Sequence, residues 1–344
     1  MPVNTLPAQI ATTLRAARSV LVVCHVDPDG DCLGSALALA RALARVGVPA
    51  VVGSADGVPE PFRSLPGASQ VVTTPPEPAD VGVAVECSTP DRAGAFADPL
   101  LRSRVVINVD HHLSNAGYGH LVYLDPTAAA VGELVAQIIR ALGVPVDREI
   151  AQALLTAVVT DTGAFRYANT TPATLRLAAD LMEAGASVVE IVDRVYESRT
   201  PSGLRLLGRA LAGLQLSADG RVAWTTVTPQ MLAEAKAAPE ETTGIVGLLR
   251  QIRGVQVALL FEQTPAGVRV GIRSRDGVRS HVIAEAFGGG GHEGAAGFTA
   301  AGPLADVVAA TLAEVERELR RNGTHSAGAP TASPAPAPPP EPSG

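Results

Sequence analysis

The chain has 344 residues, 47% of them hydrophobic, which is ample for a large buried core and suggests two domains. Aromatic residues make up only 3%, so that core must be aliphatic, mostly Ala, Val and Leu. A formal net charge of −7 argues against gripping a long nucleic acid, which calls for a basic stripe; a short phosphorylated substrate held by a local group of arginines stays open.

Cys24, Cys32 and Cys87 are too few, and odd in number, for a disulfide framework, and read as small packing residues. No charged-then-apolar leader opens the chain and no apolar run reaches about 18 residues, so the expected location is cytoplasmic, with no membrane partner.

In chain order, Ser19 to Cys24 (SVLVVC) reads as a buried strand and Leu33 to Val46 as a helix. Val81 to Val85 and Arg104 to Val109 are further buried strands, with Leu121 to Leu124 another. Helices are expected at Ala130 to Leu142, Asp147 to Val159 and Pro172 to Ala184, and a bridge between domains from Val188 to Ser202. This alternation implies a parallel sheet covered on both faces. The second half opens with a helix from Gly203 to Leu214. It then becomes strand-rich, at Arg221 to Val227, Val255 to Phe261 and Val268 to Arg273. A helix at His281 to Phe287 leads into the glycine run Gly288 to Gly291, and a charged helix, Leu304 to Arg321, closes the folded part. The expected domains are thus 1–187, a linker 188–202, and 203–322. The Pro/Ala-rich tail 323–344 cannot offset its ordering entropy and should be disordered.

The chemistry-bearing residues sit where strands end. His25, Asp27, Asp29 and Asp31 follow the first strand, on a turn that Pro28 and Gly30 tighten. Taken alone, this could be an acidic turn capping the next helix. Glu86 directly follows the strand Val81 to Val85, however, and Asp110, His111 and His112 directly follow Arg104 to Val109. Asp161 adds another group after the helix ending in Leu154 to Thr160. In open α/β sheets ligands bind outside the carboxyl ends of the strands, so these groups should converge. The set His25, Asp29, Asp31, Glu86, His111 and Asp161 exceeds what one catalytic ion needs. It suits two divalent ions sharing a carboxylate and clamping a phosphoryl group. Carboxylates with imidazoles favour Mn²⁺, with Mg²⁺ or Co²⁺ as alternatives, over ions that prefer thiolate.

In the second half, Gly288 to Gly291 can bring backbone N–H groups close to a phosphate, and His292 follows at once. Arg250, Arg253, Arg269, Arg273, Arg275 and Arg279 make the region locally basic. Arg273 and Arg275, with Ser274 between them, are the best phosphate candidates, although alternating solvent-facing charges would explain part of this set. Arg92 and Arg166 follow motif segments and are open to either a structural role or phosphate contact.

HVDPDGD, the DHH triplet at Asp110 to His112, TDTGAFRY at Thr160 to Tyr167 and GGGGHEGAAGF at Gly288 to Phe298 resemble the DHH-family phosphoesterases with their DHH-associated C-terminal domain. The compact length is most similar to the nano-RNase and phosphoadenosine-phosphate (pAp) phosphatase branch. The resemblance implies an α/β fold: a parallel-sheet catalytic domain, a smaller α/β C-terminal domain and an active site in the cleft between them. It implies that His25 and Asp29 hold one metal, and Asp31, His111 and Asp161 the other. Glu86 stands where the family usually has a bridging Asp, so the longer side chain must re-aim the bridge or alter the metal spacing. His112 would contact the scissile phosphate, supported by Asp110, and both are taken as catalytic residues. Gly289, Gly290, Gly291 and His292, with Arg273, Ser274 and Arg275, would bind the substrate.

The implied substrates are very short RNA, cut to nucleoside 5′-monophosphates, and pAp, converted to AMP; long duplexes are not expected, and a homodimer is possible. Alternatives are a linear dinucleotide (pApA or pGpG) phosphodiesterase, a single-strand exonuclease, an inorganic pyrophosphatase, or a non-catalytic nucleotide sensor.

Overall fold

In the computed structural model, residues 5–275, 277–291 and 293–326 are described. The chain divides into two compact units between Ser198 and Arg199.

The first unit opens with helix α1 (Pro7–Arg15) and strand β1 (Val20–Val23), then α2 (Gly30–Arg45), β2 (Ala50–Gly53), β3 (Val81–Val85), α3 (Ala97–Leu101), β4 (Val105–Asp110) and β5 (Leu121–Leu124). Four helices follow: α4 (Val131–Ala141), α5 (Arg148–Asp161), α6 (Pro172–Glu183) and α7 (Val188–Val195). The strands form one sheet, β2-β1-β3-β4-β5, with every pairing parallel. Runs such as VLVV and VGVAV are buried at every position because helices cover both faces, so neither face can afford a polar residue. Val20 and Val22 join a core with residues of α1, α2, α4 and α5, while Leu21 and Val23 pack on the other face with Phe96 and Leu100. Each such side chain contributes roughly 1.5–3 kcal/mol by leaving water.

Caps fix where the key helices begin. The Asp29 carboxylate accepts from Cys32 N at 3.0 Å at the start of α2, and Asp147 accepts from Glu149 N and Ile150 N at the start of α5. At the other end of α5 the helix abuts α2. A Cβ on Gly30 would lie 2.5 Å from Thr160 Cγ2, so only glycine lets the start of α2 and the end of α5 meet this closely.

The second unit contains α8 (Pro201–Ala212), β6 (Gln215–Leu216), β7 (Val222–Val227), α9 (Pro229–Ala235), α10 (Ile245–Leu249), β8 (Val257–Thr264) and β9 (Gly267–Ser274). It ends with α11 (Ser280–Glu285), β10 (Gly290–Gly291), β11 (Ala295–Ala300) and α12 (Leu304–Ser326). Its sheet has the order β10-β11-β9-β8-β7-β6, with β7 and β8 parallel and the remaining pairs antiparallel. Strand β8 feeds two cores by alternation: Val257, Leu259 and Phe261 pack with Val315 and Leu319, whereas Ala258 and Leu260 pack with Leu206 and Leu249.

The segment expected to bridge the domains contains helix α7, whose Ile191 belongs to the first unit's core. Elements with weak apolar signatures were not anticipated, among them α1, the half-exposed β2 and the small-residue strand β11. The tail expected to be disordered lies, apart from the last turn of α12, outside the described residues.

Candidate metal centre

Strand ends and helix ends deliver the six candidate ligands to one place. His25 follows β1 and is buried. Its Nε2 lies 3.9 Å from Asp29 Oδ1 and 3.7 Å from Glu86 Oε2. The Nδ1 atom is 2.7 Å from Val26 O; a carbonyl only accepts, so Nδ1 carries the proton and Nε2 keeps its lone pair toward the carboxylates.

Glu86 follows β3 in a left-handed conformation, φ +59°. For a non-glycine residue that conformation costs of order 1–3 kcal/mol, and such strain is typical of functional positions. Here it accompanies a side chain only 3% exposed, whose Oε2 is buried with no hydrogen-bond donor among the described residues.

On the other side, His111 places Nδ1 3.0 Å from Ala128 O and Nε2 3.7 Å from Asp161 Oδ2. Asp31, in the first turn of α2, is fully enclosed and receives Val131 N at 2.6 Å, Gly132 N at 2.9 Å and Ser35 Oγ at 3.1 Å. The start of α4 therefore fixes Asp31 by its free N–H groups, a helix N-terminus used to hold an anion. Asp161 closes α5 and is followed by three residues at positive φ, Gly163, Ala164 and Phe165, a turn pinned by Phe165 N on Thr162 Oγ1 at 3.1 Å. Ligand atoms of His25 and Glu86, of Glu86, His111 and His112, and of Asp31, His111 and Asp161 lie within 4.8 Å of one another in each group. Glu86 and His111 each belong to two groups, so the cluster is continuous.

The titration behaviour reflects this crowding. Burial and the neighbouring Asp161 push Asp31 up to about 8, and burial pushes Asp161 up to about 7. Burial, together with Asp29, Asp31 and the other carboxylates, also raises Glu86. His25 is lowered by burial, which keeps its ring neutral and fit to bind a cation. Burial pulls His111 down, but Asp31 and Asp161 outweigh it and raise the group. Carboxylates this poorly solvated and this close cost several kcal/mol each unless cations join them. The orphaned Glu86 Oε2 and the donor set of imidazoles and carboxylates fit divalent ions of the harder kind.

Asp110 occupies a different role. It is fully buried at the end of β4 and accepts from His111 N, His112 N, Asn115 Nδ2 and His112 Nδ1, the last at 2.6 Å. Burial opposes its ionisation, yet these bonds hold it below the ordinary carboxylate range. His112 is thereby oriented with Nδ1 occupied and Nε2 as the atom it can offer.

The neighbours Cys24, Cys32 and Cys87 are free thiols, all buried. Burial raises Cys32 and Cys87 far above their usual range, so both stay protonated, in keeping with packing roles. Asp27, also at positive φ, is exposed, and its backbone N–H donates to Asp56 Oδ2 at 2.7 Å. Two residues were not anticipated: Asn115, which bridges Asp110 to Asn108 at 2.8 Å, and Glu133, which, after burial and Asp29, helps to raise Asp161. A polar residue close after the strand-end Asp110 is the one signal for Asn115; Glu133 sits in an ordinary amphipathic helix and had none.

The second unit treats its candidates differently. Ser274 is buried, its Oγ lying 2.5 Å from Val278 O and 2.9 Å from Glu293 O, which share its single proton, and accepting from Ser280 Oγ at 2.8 Å. That hydroxyl ties down the strand end rather than facing a ligand. Arg279 forms a two-pronged pair with Glu318, at 2.7 and 3.1 Å, and Arg269 lies 3.7 Å from Glu262. Arg273 donates to Ile272 O at 2.9 Å, and Arg275 is half-buried with its Nε unpartnered among the described residues. Gly290 and Gly291 form β10 against β11. A Cβ at Gly289 would lie 2.3 Å from Gly297 O, and one at Gly291 2.5 Å from Ala295 O, whereas one at Gly290 meets nothing within 4 Å. His292 lies outside the described residues.

A parallel α/β sheet whose strand ends gather imidazoles and carboxylates within reach of shared cations is the architecture of a metal-dependent hydrolase. The chain belongs to the DHH family: residues 19–158 match its N-terminal domain and residues 220–321 match the DHHA1 domain. It is 38% identical, over 91% of its own length and 94% of the relative's, to the bifunctional oligoribonuclease and PAP phosphatase NrnA of Thermus thermophilus. The protein of the same name from Bacillus subtilis is 26% identical, over 84% of this chain and 91% of that one. Among solved structures, an exopolyphosphatase-related protein from Bacteroides fragilis superposes with a TM-score of 0.86 at 22% identity, covering 92% of this chain and 97% of that one, and so shares the fold. Among the described residues, no helix is long and apolar enough to cross a membrane.

Proposed function

We propose that this protein is a two-metal phosphoesterase that degrades very short RNA to nucleoside 5′-monophosphates and dephosphorylates pAp to AMP, working in the cytoplasm with Mn²⁺. The observation that carries this reading is the 38% identity over nearly the whole chain to a bifunctional oligoribonuclease and PAP phosphatase, with a strand-end ligand cluster that fits its chemistry. The negative net charge supports short rather than long substrates.

In this reading His25, Asp29 and Glu86 hold one ion and Asp31, His111 and Asp161 the other, with Glu86 shared. When bound, the ions neutralise phosphoryl charge and lower the pKa of water at neutral pH. The chain's own groups do the rest. Val26 O fixes the His25 tautomer, and the start of α4 fixes Asp31. Asp110 accepts from His112 Nδ1 and stabilises the imidazolium form, in which Nε2 would donate a hydrogen bond to a phosphoryl oxygen. Arg273, Arg275 and the run Gly289 to Gly291 are retained as substrate-binding residues of the second unit, with Gly290 the position open to a ligand. Ser274 serves there by shaping the strand end.

The test is mononucleotide release from a labelled RNA ladder running from dinucleotides to long strands, with a pAp lane, in Mn²⁺ and then EDTA. EDTA-sensitive loss of only the shortest RNAs, with phosphate from pAp, is expected. Efficient digestion of long strands would replace the reading with a processive exonuclease, and tight pAp binding without turnover would make the protein a sensor.

A further inference from the structure

The short 3₁₀ helix after β3, Pro90–Phe96, carries Arg92, whose Nη2 lies 3.1 Å from His25 Nδ1. That nitrogen is already committed, because its proton is on Val26 O at the shorter distance of 2.7 Å. Arg92 therefore finds no acceptor there: a guanidinium donates, and so does the Nδ1–H it faces. The side chain is half-buried, and among the described residues no carboxylate pairs with it. Its backbone, by contrast, is firmly placed, since Arg92 O accepts Val26 N at 2.8 Å and locks the 3₁₀ helix to the His25 loop. Arg166, the other arginine beside a motif, is spent locally: its Nε donates to Gly163 O at 2.6 Å and its guanidinium stands 5.7 Å from the Tyr196 ring centre.

A partly buried guanidinium held beside a metal-facing imidazole without an acid partner is costly unless an anion joins it. Charge balance points the same way. Asp29, Asp31, Glu86, Asp110 and Asp161 carry five negative charges against four on two divalent ions. The loaded centre would thus remain negative toward an incoming phosphate. A fixed cation at its edge removes that barrier, and an arginine fork matches phosphate oxygens.

We propose that Arg92 is a phosphate-binding residue of the catalytic unit, its guanidinium donating to the oxygens of the phosphoryl group undergoing hydrolysis. The proposal rests on the two-metal reading above and adds to it a residue that touches substrate. Its test uses full-length Mn²⁺-loaded protein and inorganic phosphate as the probe, so it does not depend on which ester is cleaved. Phosphate affinity by calorimetry, bound Mn²⁺ by metal analysis and thermal midpoint in EDTA are compared for wild type, Arg92→Ala and Arg92→Lys. Loss of a charged hydrogen-bond donor predicts phosphate affinity weaker by about 10-fold to 100-fold in Arg92→Ala, with Mn²⁺ content unchanged. Arg92→Lys, which keeps the charge and loses the fork, should fall between. Free guanidinium should return part of the pAp turnover lost by Arg92→Ala, a rescue that a purely structural arginine would not show.

Unchanged phosphate affinity in Arg92→Ala, absence of phosphate binding by the wild type, or a fall in Mn²⁺ content that accounts for the weaker binding would each overturn the proposal. If Arg92→Ala does not fold, Arg92→Lys decides by the same readings. Failure of the wild type to cleave short RNA or pAp would sink the functional reading instead, while the phosphate titration still judges Arg92.

Discussion

In the first unit, the residues at the strand ends are held in conformations that only a ligand would justify; in the second, most residues of the same chemical types are consumed by the fold. Glu86 accepts a left-handed backbone and a buried carboxylate with no donor, and Asp31 and Asp161 are buried side by side so that both resist ionising. Ser274, Arg279, Gly289 and Gly291 instead have complete structural reasons to be what they are. Residue type and motif position alone cannot separate these cases. An unmet electrostatic demand can, and it is concentrated in the first unit.

The sharpest way to break the contrast is at Asp31. Asp31→Asn removes a charge but keeps an acceptor for Val131 N or Gly132 N, so the protein should stay folded while turnover falls more than about 100-fold. In EDTA above about pH 8 its thermal midpoint should equal or exceed that of the wild type, because there Asp31 would carry a repulsive charge that Asn lacks. Near-normal turnover, or unfolding, would mean that Asp31 is a structural cap like those of the second unit.

Glu86 gives the next effect. Glu86→Gln should weaken Mn²⁺ binding by more than about 10-fold with the secondary structure intact, since Oε2 has no partner to lose. Unaltered metal affinity would remove Glu86 from the ligand set.

The demand also has a pH signature. In the folded, metal-free protein Asp31 titrates near 8 and Asp161 near 7, above an unfolded value of 3.8. The sign follows from linkage: the folded state binds the extra protons, so stability is complete below about pH 4 and is lost as pH rises through 7 and 8. Thermal midpoints in EDTA should therefore fall between pH 5 and 8, while the stabilisation given by Mn²⁺ grows over the same window. A flat profile in EDTA would deny that the carboxylates are crowded without ions.

These tests bear on what was legible beforehand. The buried parallel strands could be read because residues such as Val81 to Val85 are apolar at every position, and the candidate ligands His25, Glu86 and His111 could be read because they lie just after strands. Long-range partners could not: Asp31 is gripped by α4 a hundred residues away, and the backbone at Glu86 is left-handed although nothing in Val-Glu-Cys signals it. Strand β11, Ala-Ala-Gly-Phe-Thr-Ala, is too poor in β-branched residues to declare itself, so nothing marked the glycine run before it as the edge of a sheet.

The glycine run offers the smallest effect and the test most particular to the second unit. Gly289→Ala would force a Cβ to within 2.3 Å of Gly297 O and 2.4 Å of Phe298 Cβ, and should cost about 1–3 kcal/mol of stability whatever the run does for substrate. Gly290→Ala meets no atom within 4 Å, and its backbone has no positive φ to relieve, so the thermal midpoint should hardly move. The new methyl would nevertheless stand on the exposed side of β10, where a phosphate would have to approach. A raised KM for pAp in Gly290→Ala, with kcat and stability preserved, would give the second unit an unmet demand of its own. An unchanged KM would leave all the demand with the strand ends of the first unit and reduce the glycine run to a packing device.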